Sequence, residues 1–208
     1  MDIVNEIDVP RLLKKDRLFR NIHSQYGEPP NWKRKPGFVS LCRIILEQQI
    51  SLNAAKAHYV KLKDYVGSFT TSNILKLSDI EFRNCQISRQ KMTYLRELAS
   101  EIENRTINLA NYKTMDDESI RSEMIRIKGI GNWTIDVYLL FCLQSKDVFP
   151  IGDIAIRKAI YELNEVKEEN DVLELSRKWK PYRSLATYYL WHYYLSSRRK
   201  LFPFSRET

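Results

Sequence analysis

Cysteine is one of the residues that this 208-residue chain has little of. Its three cysteines, Cys42, Cys85 and Cys142, lie far apart, and two of them are inside apolar segments. That spacing excludes a disulfide framework or a cysteine-held zinc or iron–sulfur site, and it predicts buried thiols in a reducing compartment. No segment approaches eighteen apolar residues and the first residues are acidic, so we expect neither a membrane helix nor a secretion signal.

Glycine is scarce as well, which makes its placement informative. The chain has six glycines, and Gly129, Gly131 and Gly152 all fall within residues 127–153. Glycine is needed where the backbone adopts positive φ or where another group must approach it closely. The segment therefore predicts a tight turn that can receive a ligand, with Asp153 one helix further along.

Strand-like alternation of apolar and polar residues is also nearly absent. Apolar residues instead recur at helical spacing after residue 37, and Ser51 and Gly67 bracket one such segment as N-cap and C-terminal glycine. Residues 1–37 are polar, contain four prolines and predict short helical pieces and loops. We expect an all-α fold of roughly eight to ten helices, in one domain or two small lobes.

What the chain does have is positive charge. The formal net charge is +8. A basic domain attracts polyanions, because each phosphate that it neutralises releases condensed counterions. Charge alone indicates nucleic-acid binding only weakly, since many basic proteins bind none.

The sequence IKGIGN, residues 127–132, ends one predicted helix and begins the next. The two glycines can turn main-chain N–H groups outward, which creates a small anion site for a DNA phosphate. Lys128 and Asn132 can add contacts that position the protein without reading base sequence. The alternative is an ordinary interhelical turn with a glycine C-cap, which needs only one glycine.

Asp153 directly precedes the apolar-periodic residues 154–160. On the residues alone an N-cap role is favoured, because aspartate commonly accepts main-chain N–H bonds at a helix start. A catalytic role is the alternative, and only a wider resemblance supports it.

Four segments carry such a resemblance. They are IILEQQIS (44–51), IKGIGNWT (127–134), DVFPIGDIAIRK (147–158) and WKPYRSLA (179–186) with Trp191 beyond it. Together they resemble the helix-hairpin-helix (HhH-GPD) DNA glycosylase superfamily, and the last resembles the 3-methyladenine DNA glycosylase II branch in particular. The resemblance runs from about residue 38 to 191. It implies a two-lobed all-α fold with the active site in the cleft between lobes.

The resemblance also implies a domain organisation. Residues 1–208 form a single glycosylase unit, with the helix-hairpin-helix at about 117–144. The 37 residues before Phe38 are too few for the separate N-terminal αβ lobe of longer relatives, so we expect that lobe to be absent.

The resemblance makes Asp153 the catalytic carboxylate. A preorganised anion stabilises the positive charge that develops on the sugar as the N-glycosidic bond breaks, and it can orient the attacking water. In the bifunctional branch, a lysine stands two residues after the second hairpin glycine, where this chain has Trp133. The predicted enzyme is therefore monofunctional and needs no cofactor.

The resemblance further implies a set of DNA and base contacts. Gln48 and Gln49 are candidates for the wedge that fills the gap left by a flipped base, and the residues do not decide between them. Trp133, Trp191 and Tyr188 are expected to form an aromatic pocket, which attracts the cationic ring of an alkylated purine. The expected DNA-binding residues are Lys128, Gly129, Ile130, Gly131, Asn132, Thr134, Gln48 and Gln49. Main-chain carbonyls of Ile125, Ile127 and Ile130 are expected to hold a structural Na⁺ or K⁺ ion.

The predicted function is base excision repair of double-stranded DNA that contains damaged, and specifically alkylated, bases. We expect a monomer without membrane contact, in the cytoplasm or nucleoid of a prokaryote or the nucleus of a eukaryote. One alternative is a glycosylase for oxidised or deaminated bases. Another is a non-catalytic helix-hairpin-helix module that binds DNA and uses Asp153 only as a cap.

Overall fold

The computed structural model describes residues 2–199, and this part of the chain is helical with no strand. The all-α prediction is confirmed. The described residues contain twelve α-helices. In chain order they are α1 (Asp8–Lys15), α2 (Arg17–Tyr26), α3 (Phe38–Glu47), α4 (Leu52–Val66), α5 (Thr71–Lys76), α6 (Asp79–Asn84), α7 (Arg89–Glu103), α8 (Asp117–Met124), α9 (Asn132–Tyr138), α10 (Ile154–Asn164), α11 (Glu169–Arg177) and α12 (Arg183–Ser196).

Two shorter helical segments complete the described chain. A 3₁₀-helix (Asn111–Lys113) precedes α8, and a π-helical turn (Leu139–Leu143) directly follows α9. None of the helices within residues 2–199 combines the length and the apolar character that crossing a membrane requires.

Local capping explains where several helices begin and end. The Ser51 side chain accepts from the N–H of Ala54 at the start of α4, and Gly67 ends that helix with φ +67°, as the sequence predicted. Ser78 forms a capping box with Glu81 at the start of α6, in which each side chain accepts from the other residue's main chain. These hydrogen bonds satisfy donors that a helix end otherwise leaves unpaired.

The number of helices exceeds the prediction of roughly eight to ten. The additional ones are short, and their lengths explain why they were missed: α5 and α6 have six residues each, too few for periodicity to be recognised. In the proline-containing first segment, the Asp16 side chain accepts from the N–H of Leu18 and starts α2 one residue after α1 ends.

The described residues divide into two compact units. Residues 34–138 form the unit that contains α3 to α9, here named the hairpin unit. Its central helix is α3, which packs against α4, α7 and α9. Residues 40–47 of α3 are all buried, which agrees with a helix that is apolar on nearly every side.

Residues 2–33 and 139–199 form the other unit, here named the terminal unit. Its central helix is α12, which packs against α1, α2 and α10. Large buried aromatic side chains fill this core; for example, Phe19 meets Trp179 edge to face with ring centroids 5.1 Å apart.

Candidate functional site

The helix-hairpin-helix lies in the hairpin unit and consists of α8, a turn at residues 125–131, and α9. Asp116 starts α8 by accepting from the N–H of Ser119 at 2.9 Å. Within the turn, Ile127 N–H donates to the Met124 carbonyl, and Ile130 N–H donates to the Ile127 carbonyl. These short-range bonds keep the turn tight. The apolar side chains of Ile127 and Ile130 are buried beneath it.

Gly129 is required by the fold itself. Its φ is +92°, a conformation that other L-residues rarely adopt. A Cβ placed on it would also lie only 2.1 Å from Cγ of Tyr94 in α7. The turn therefore rests directly on the Tyr94 ring, and no side chain fits between them.

Gly131 differs from Gly129 in both respects. Its φ lies outside the left-handed region, and no atom lies within 4 Å of the position that a Cβ would occupy. Nothing in the described fold requires glycine here. The space beside Gly131 is open to a ligand, which accords with the close approach that the sequence predicted.

Charged and polar side chains surround the turn. Lys128 is exposed, and so is Arg126, a cation that the sequence analysis did not single out. Arg121 of α8 donates to the Asp136 carboxylate at 2.5 Å and to the Asn132 carboxamide oxygen at 3.3 Å. Asn132 is exposed, so its predicted DNA contact is sterically open while Arg121 fixes its orientation.

The structure distinguishes the two glutamines that follow α3. The Gln48 side chain donates from Nε2 to the Gly129 carbonyl and to Thr134 Oγ1, both at 2.9 Å. Gln49 is exposed and has φ +59°, an unusual value for a residue with a side chain. Gln48 is thus bound to the hairpin, whereas the Gln49 side chain is accessible to solvent.

The side chains of Thr134 and Ile130 are too deeply buried to contact DNA. Thr134 is only 2% exposed and accepts the hydrogen bond from Gln48. Ile130 is 3% exposed. In this conformation neither side chain is accessible to DNA, because the packing of the hairpin encloses both.

A pocket of about 410 Å³ opens beside the hairpin turn. Gln48, Gln49, Gln90, Lys91, Tyr94 and residues 125–131 line it, all within the hairpin unit. Gln90 donates to the Tyr94 hydroxyl at 2.7 Å, which fixes the ring on which Gly129 rests. Sequence reasoning missed Gln90 and Tyr94, since only the folded chain brings α7 to the turn.

A buried group of charges lies at the C-terminal end of α3. Arg34 pairs with the Glu47 carboxylate at 3.0 Å, and Lys91 Nζ donates to the Leu46 carbonyl at 2.6 Å. Burial raises the pKa of Glu47, while the neighbouring Arg34, Arg43 and Lys91 cations oppose that shift. Burial also disfavours the charged form of Lys91 and therefore lowers the pKa of Lys91. These contacts fix the end of α3 immediately before Gln48.

Asp153 lies in the terminal unit, at the start of α10, and is 8% exposed. Its Oδ1 accepts from the N–H groups of Ala155 and Ile156 at 2.9 and 3.0 Å, which is the N-cap geometry. The same oxygen accepts from Trp191 Nε1 at 3.2 Å. The N-cap interpretation is therefore correct as local structure. It is compatible with a catalytic role, because three donors orient the carboxylate.

An aromatic cluster surrounds Trp191 in the terminal unit. Trp191 stacks on Phe141 with ring centroids 5.1 Å apart and an interplanar angle of 21°. Tyr188 contacts Trp32, Phe141 and Trp191, and its hydroxyl donates to main-chain carbonyls of Trp32 and Leu140. Tyr188 is 0% exposed, so it has no surface that a base could contact in this conformation. It supports the Trp191 ring instead.

Trp133 lies in the hairpin unit, in the first turn of α9, and is half-buried. No cluster of three or more His, Cys, Asp or Glu residues that could hold a metal ion occurs within residues 2–199. The carbonyls of Ile125, Ile127 and Ile130 belong to the hairpin turn, and the Ile127 carbonyl already accepts from Ile130 N–H.

Comparisons with known proteins agree with these features. The model of the HhH-GPD superfamily of base excision DNA repair proteins matches residues 42–183. The putative DNA-3-methyladenine glycosylase YfjP of Bacillus subtilis is 30% identical over 165 residues, covering 73% of this chain and 56% of that relative. DNA-3-methyladenine glycosylase 1 of Schizosaccharomyces pombe is 29% identical over 173 residues, covering 80% and 76%. The match thus spans little more than half of the first relative.

Solved structures give the same result. The S. pombe 3-methyladenine DNA glycosylase Mag1 in complex with abasic DNA has a TM-score of 0.77 at 26% identity, covering 85% of this chain and 90% of that one. The 3-methyladenine DNA glycosylase of Archaeoglobus fulgidus has a TM-score of 0.76 at 26% identity, covering 91% and 69%. Since the family model alone matches most of the sequence, this chain belongs to the HhH-GPD superfamily of base excision DNA repair proteins.

Proposed function

We propose that the protein is a DNA glycosylase that removes alkylated bases from duplex DNA by hydrolysing the N-glycosidic bond. The observation that carries the proposal is the Asp153 carboxylate, which is nearly buried and held by three N–H donors at the start of α10. The names of the two relatives described above support the choice of alkylated bases.

In the proposed reaction, Asp153 acts on the deoxyribose of the flipped nucleotide. As the bond from C1′ to the base nitrogen breaks, the base leaves with the bonding electrons and positive charge develops on the sugar. A fixed carboxylate stabilises this charge without having to reorient. Water oriented by Asp153 then adds to C1′ and loses a proton, which leaves an intact abasic site.

Alkylation makes the base a better leaving group. A purine alkylated at ring N3 or N7 carries positive charge, so it departs as a neutral molecule. The same charge is attracted to the face of an aromatic ring. Trp191 is the residue that we assign to contact the base, and the Tyr188 ring packs against it.

The hairpin is proposed to bind the DNA backbone. The open space at Gly131 allows a phosphate to approach the main chain, and the exposed Lys128, Arg126 and Asn132 add polar contacts. Such contacts position the enzyme on DNA of any sequence. We further assign a Na⁺ or K⁺ ion to the turn carbonyls of Ile125, Ile127 and Ile130, because uncharged oxygen ligands suit such hard cations.

We assign the wedge role to Gln49 rather than Gln48. Its exposed side chain can enter the duplex where the flipped base leaves a gap. Gln48 is less suitable, because both donors of its amide already bind the hairpin. We propose that the enzyme acts as a monomer, in the nucleoid of a prokaryote or the nucleus of a eukaryote.

Excision assays on a panel of lesions test this function. The protein is incubated with duplexes that contain 3-methyladenine-like, 1,N⁶-ethenoadenine, hypoxanthine, uracil or 8-oxoguanine lesions, and abasic sites are then cleaved with alkali. We expect strand cleavage for the alkylated bases and only after alkali. Cleavage confined to oxidised or deaminated bases would replace the proposed substrate class. Binding without excision of any lesion would favour the non-catalytic DNA-binding module.

The absence of a lysine at position 133 predicts hydrolysis without strand cleavage. Borohydride reduction during the reaction traps a Schiff base between an enzyme amine and the sugar, if one forms. We expect no covalent adduct with this protein. A bifunctional glycosylase treated in parallel provides the positive control, and a trapped adduct with this chain would contradict the assignment.

A further inference from the structure

Gln48 connects two parts of the hairpin unit that the proposed function uses separately. It is the residue directly after α3 and directly before Gln49. Its single amide nitrogen donates to the turn, at the Gly129 carbonyl, and to the first turn of α9, at Thr134 Oγ1. One side chain therefore links the residue before Gln49 to the hairpin turn and to the first turn of α9.

The α3 side of this link is firmly held. Lys91 Nζ donates to the Leu46 carbonyl, and Arg34 pairs with Glu47, in each case with buried side chains. The hairpin side is also held, because Gly129 rests on the Tyr94 ring. Gln48 thus joins two rigid segments, and the less common backbone conformation of Gln49 follows immediately after it.

We propose that Gln48 is a positioning residue that couples phosphate binding at the hairpin to insertion of Gln49 into the duplex. This inference rests on the proposed function. Holding Gln49 at a fixed distance from the bound phosphate removes most of the orientational freedom that insertion would otherwise have to overcome. DNA that is bound at the hairpin is then already positioned for the insertion of Gln49.

A purely structural role for Gln48 has different consequences. If Gln48 only supported the turn, its loss would weaken binding to every duplex, damaged or not. If Gln48 couples phosphate binding to the insertion of Gln49, the Gln48 variant binds undamaged DNA normally. The step that becomes slower is displacement of the target base. A target that is already unstacked should then need Gln48 much less.

The test uses Gln48→Met, which keeps the side-chain length and removes both donors. Gln25→Met is the matched control, because Gln25 is an exposed glutamine of α2 in the terminal unit and has no role in the proposed binding or chemistry. Single-turnover excision of an alkylated lesion that the panel above shows to be a substrate is measured in a paired duplex and in a duplex where the lesion lies in a bulge. Affinity for undamaged duplex is measured alongside.

We expect Gln48→Met to slow excision from the paired duplex about tenfold, the effect of one to two net hydrogen bonds. Excision from the bulge and affinity for undamaged DNA should change less than about twofold on the same scale. Gln25→Met should match the wild type in all three. Equal losses on paired and bulged lesions, weakened binding of undamaged DNA, or no loss at all would overturn the coupling.

A second readout separates this inference from the proposed function. In an Asp153→Asn background, in which excision should be much slower than insertion, 2-aminopurine placed beside the lesion reports insertion by its fluorescence increase. Gln48→Met should reduce this increase for the paired lesion and preserve it for the bulge. A wild-type protein that excises no alkylated base would overturn the proposed function, while the fluorescence still tests the coupling.

Discussion

The hairpin turn and the first turn of α10 serve the proposed reaction by different means. In the proposed function, the hairpin binds phosphate through its main chain, so the sequence requirement there falls on glycine. At α10 the functional group is one carboxylate, and the requirement falls on the donors that orient Asp153 Oδ1. Substitutions at the hairpin should therefore change DNA binding, and substitutions around Asp153 should change chemistry.

The largest effect is expected at Asp153. Asparagine caps helices as well as aspartate does, so Asp153→Asn should fold normally. It lacks the negative charge, and we expect the single-turnover excision rate to fall by about 10³-fold, the upper range for removing one preorganised electrostatic group. Affinity for lesion-containing duplex should remain within about twofold.

Asp153→Ala separates capping from chemistry in the same experiment. It removes the cap as well and should cost about 1 kcal/mol of stability in addition to the catalytic loss. Thermal unfolding of both variants measures that difference. Near-normal excision by Asp153→Asn would show that Asp153 is only a helix cap.

The two hairpin glycines should respond differently to the same substitution. Gly129→Ala places a methyl group against Tyr94 at a positive φ, and we expect a loss of about 2 kcal/mol in stability, with Tm lower by about 4–8 °C. Gly131→Ala meets no protein atom, so Tm should stay unchanged. Its methyl group would occupy the space assigned to phosphate, and we expect about tenfold weaker DNA binding.

Calorimetry and DNA titration of the two variants test this pair. A Gly131→Ala protein that binds duplex as the wild type does would remove the main support for a phosphate at this turn. A Gly129→Ala protein with unchanged Tm would show that Tyr94 moves aside at little cost.

The sequence predicted those parts of the fold that local interactions determine. The helix between Ser51 and Gly67, the turn at Gly129 and the cap at Asp153 each depend on residues within a few positions of one another. The family motifs added the hairpin and its place in a helix-hairpin-helix fold. For these features, residue type and spacing already contain the physical cause.

Contacts between distant residues could not be predicted in this way. Gln48 and Gln49 are identical neighbours in sequence, and the bonds from Gln48 to Gly129 and Thr134, 81 and 86 positions away, distinguish them. Tyr188 is an aromatic residue of the type expected in a base pocket, but packing around Trp191 buries it. Tertiary packing decides such cases, and no local pattern encodes it.

A moderate effect is expected at Trp191. Trp191→Phe keeps a ring against Phe141 and removes the donor to Asp153 Oδ1. Losing a hydrogen bond to a charged group should lower the excision rate about tenfold or more, with unchanged affinity for undamaged DNA. Trp179→Phe is the control, since it removes a comparable indole bond, to Asp16, and should reduce stability without slowing excision.

The smallest effect is expected at Lys128. Its side chain is exposed, and Lys128→Gln should weaken binding only a few-fold near physiological salt, equally for all sequences. The slope of log K against log salt concentration should become shallower by about 0.9, as expected when one phosphate contact is lost. Lys113→Gln, an exposed lysine on the 3₁₀-helix, should leave the slope unchanged. An identical slope for both variants would mean that Lys128 contacts no phosphate, and the anion site would then depend on the main chain and Arg126.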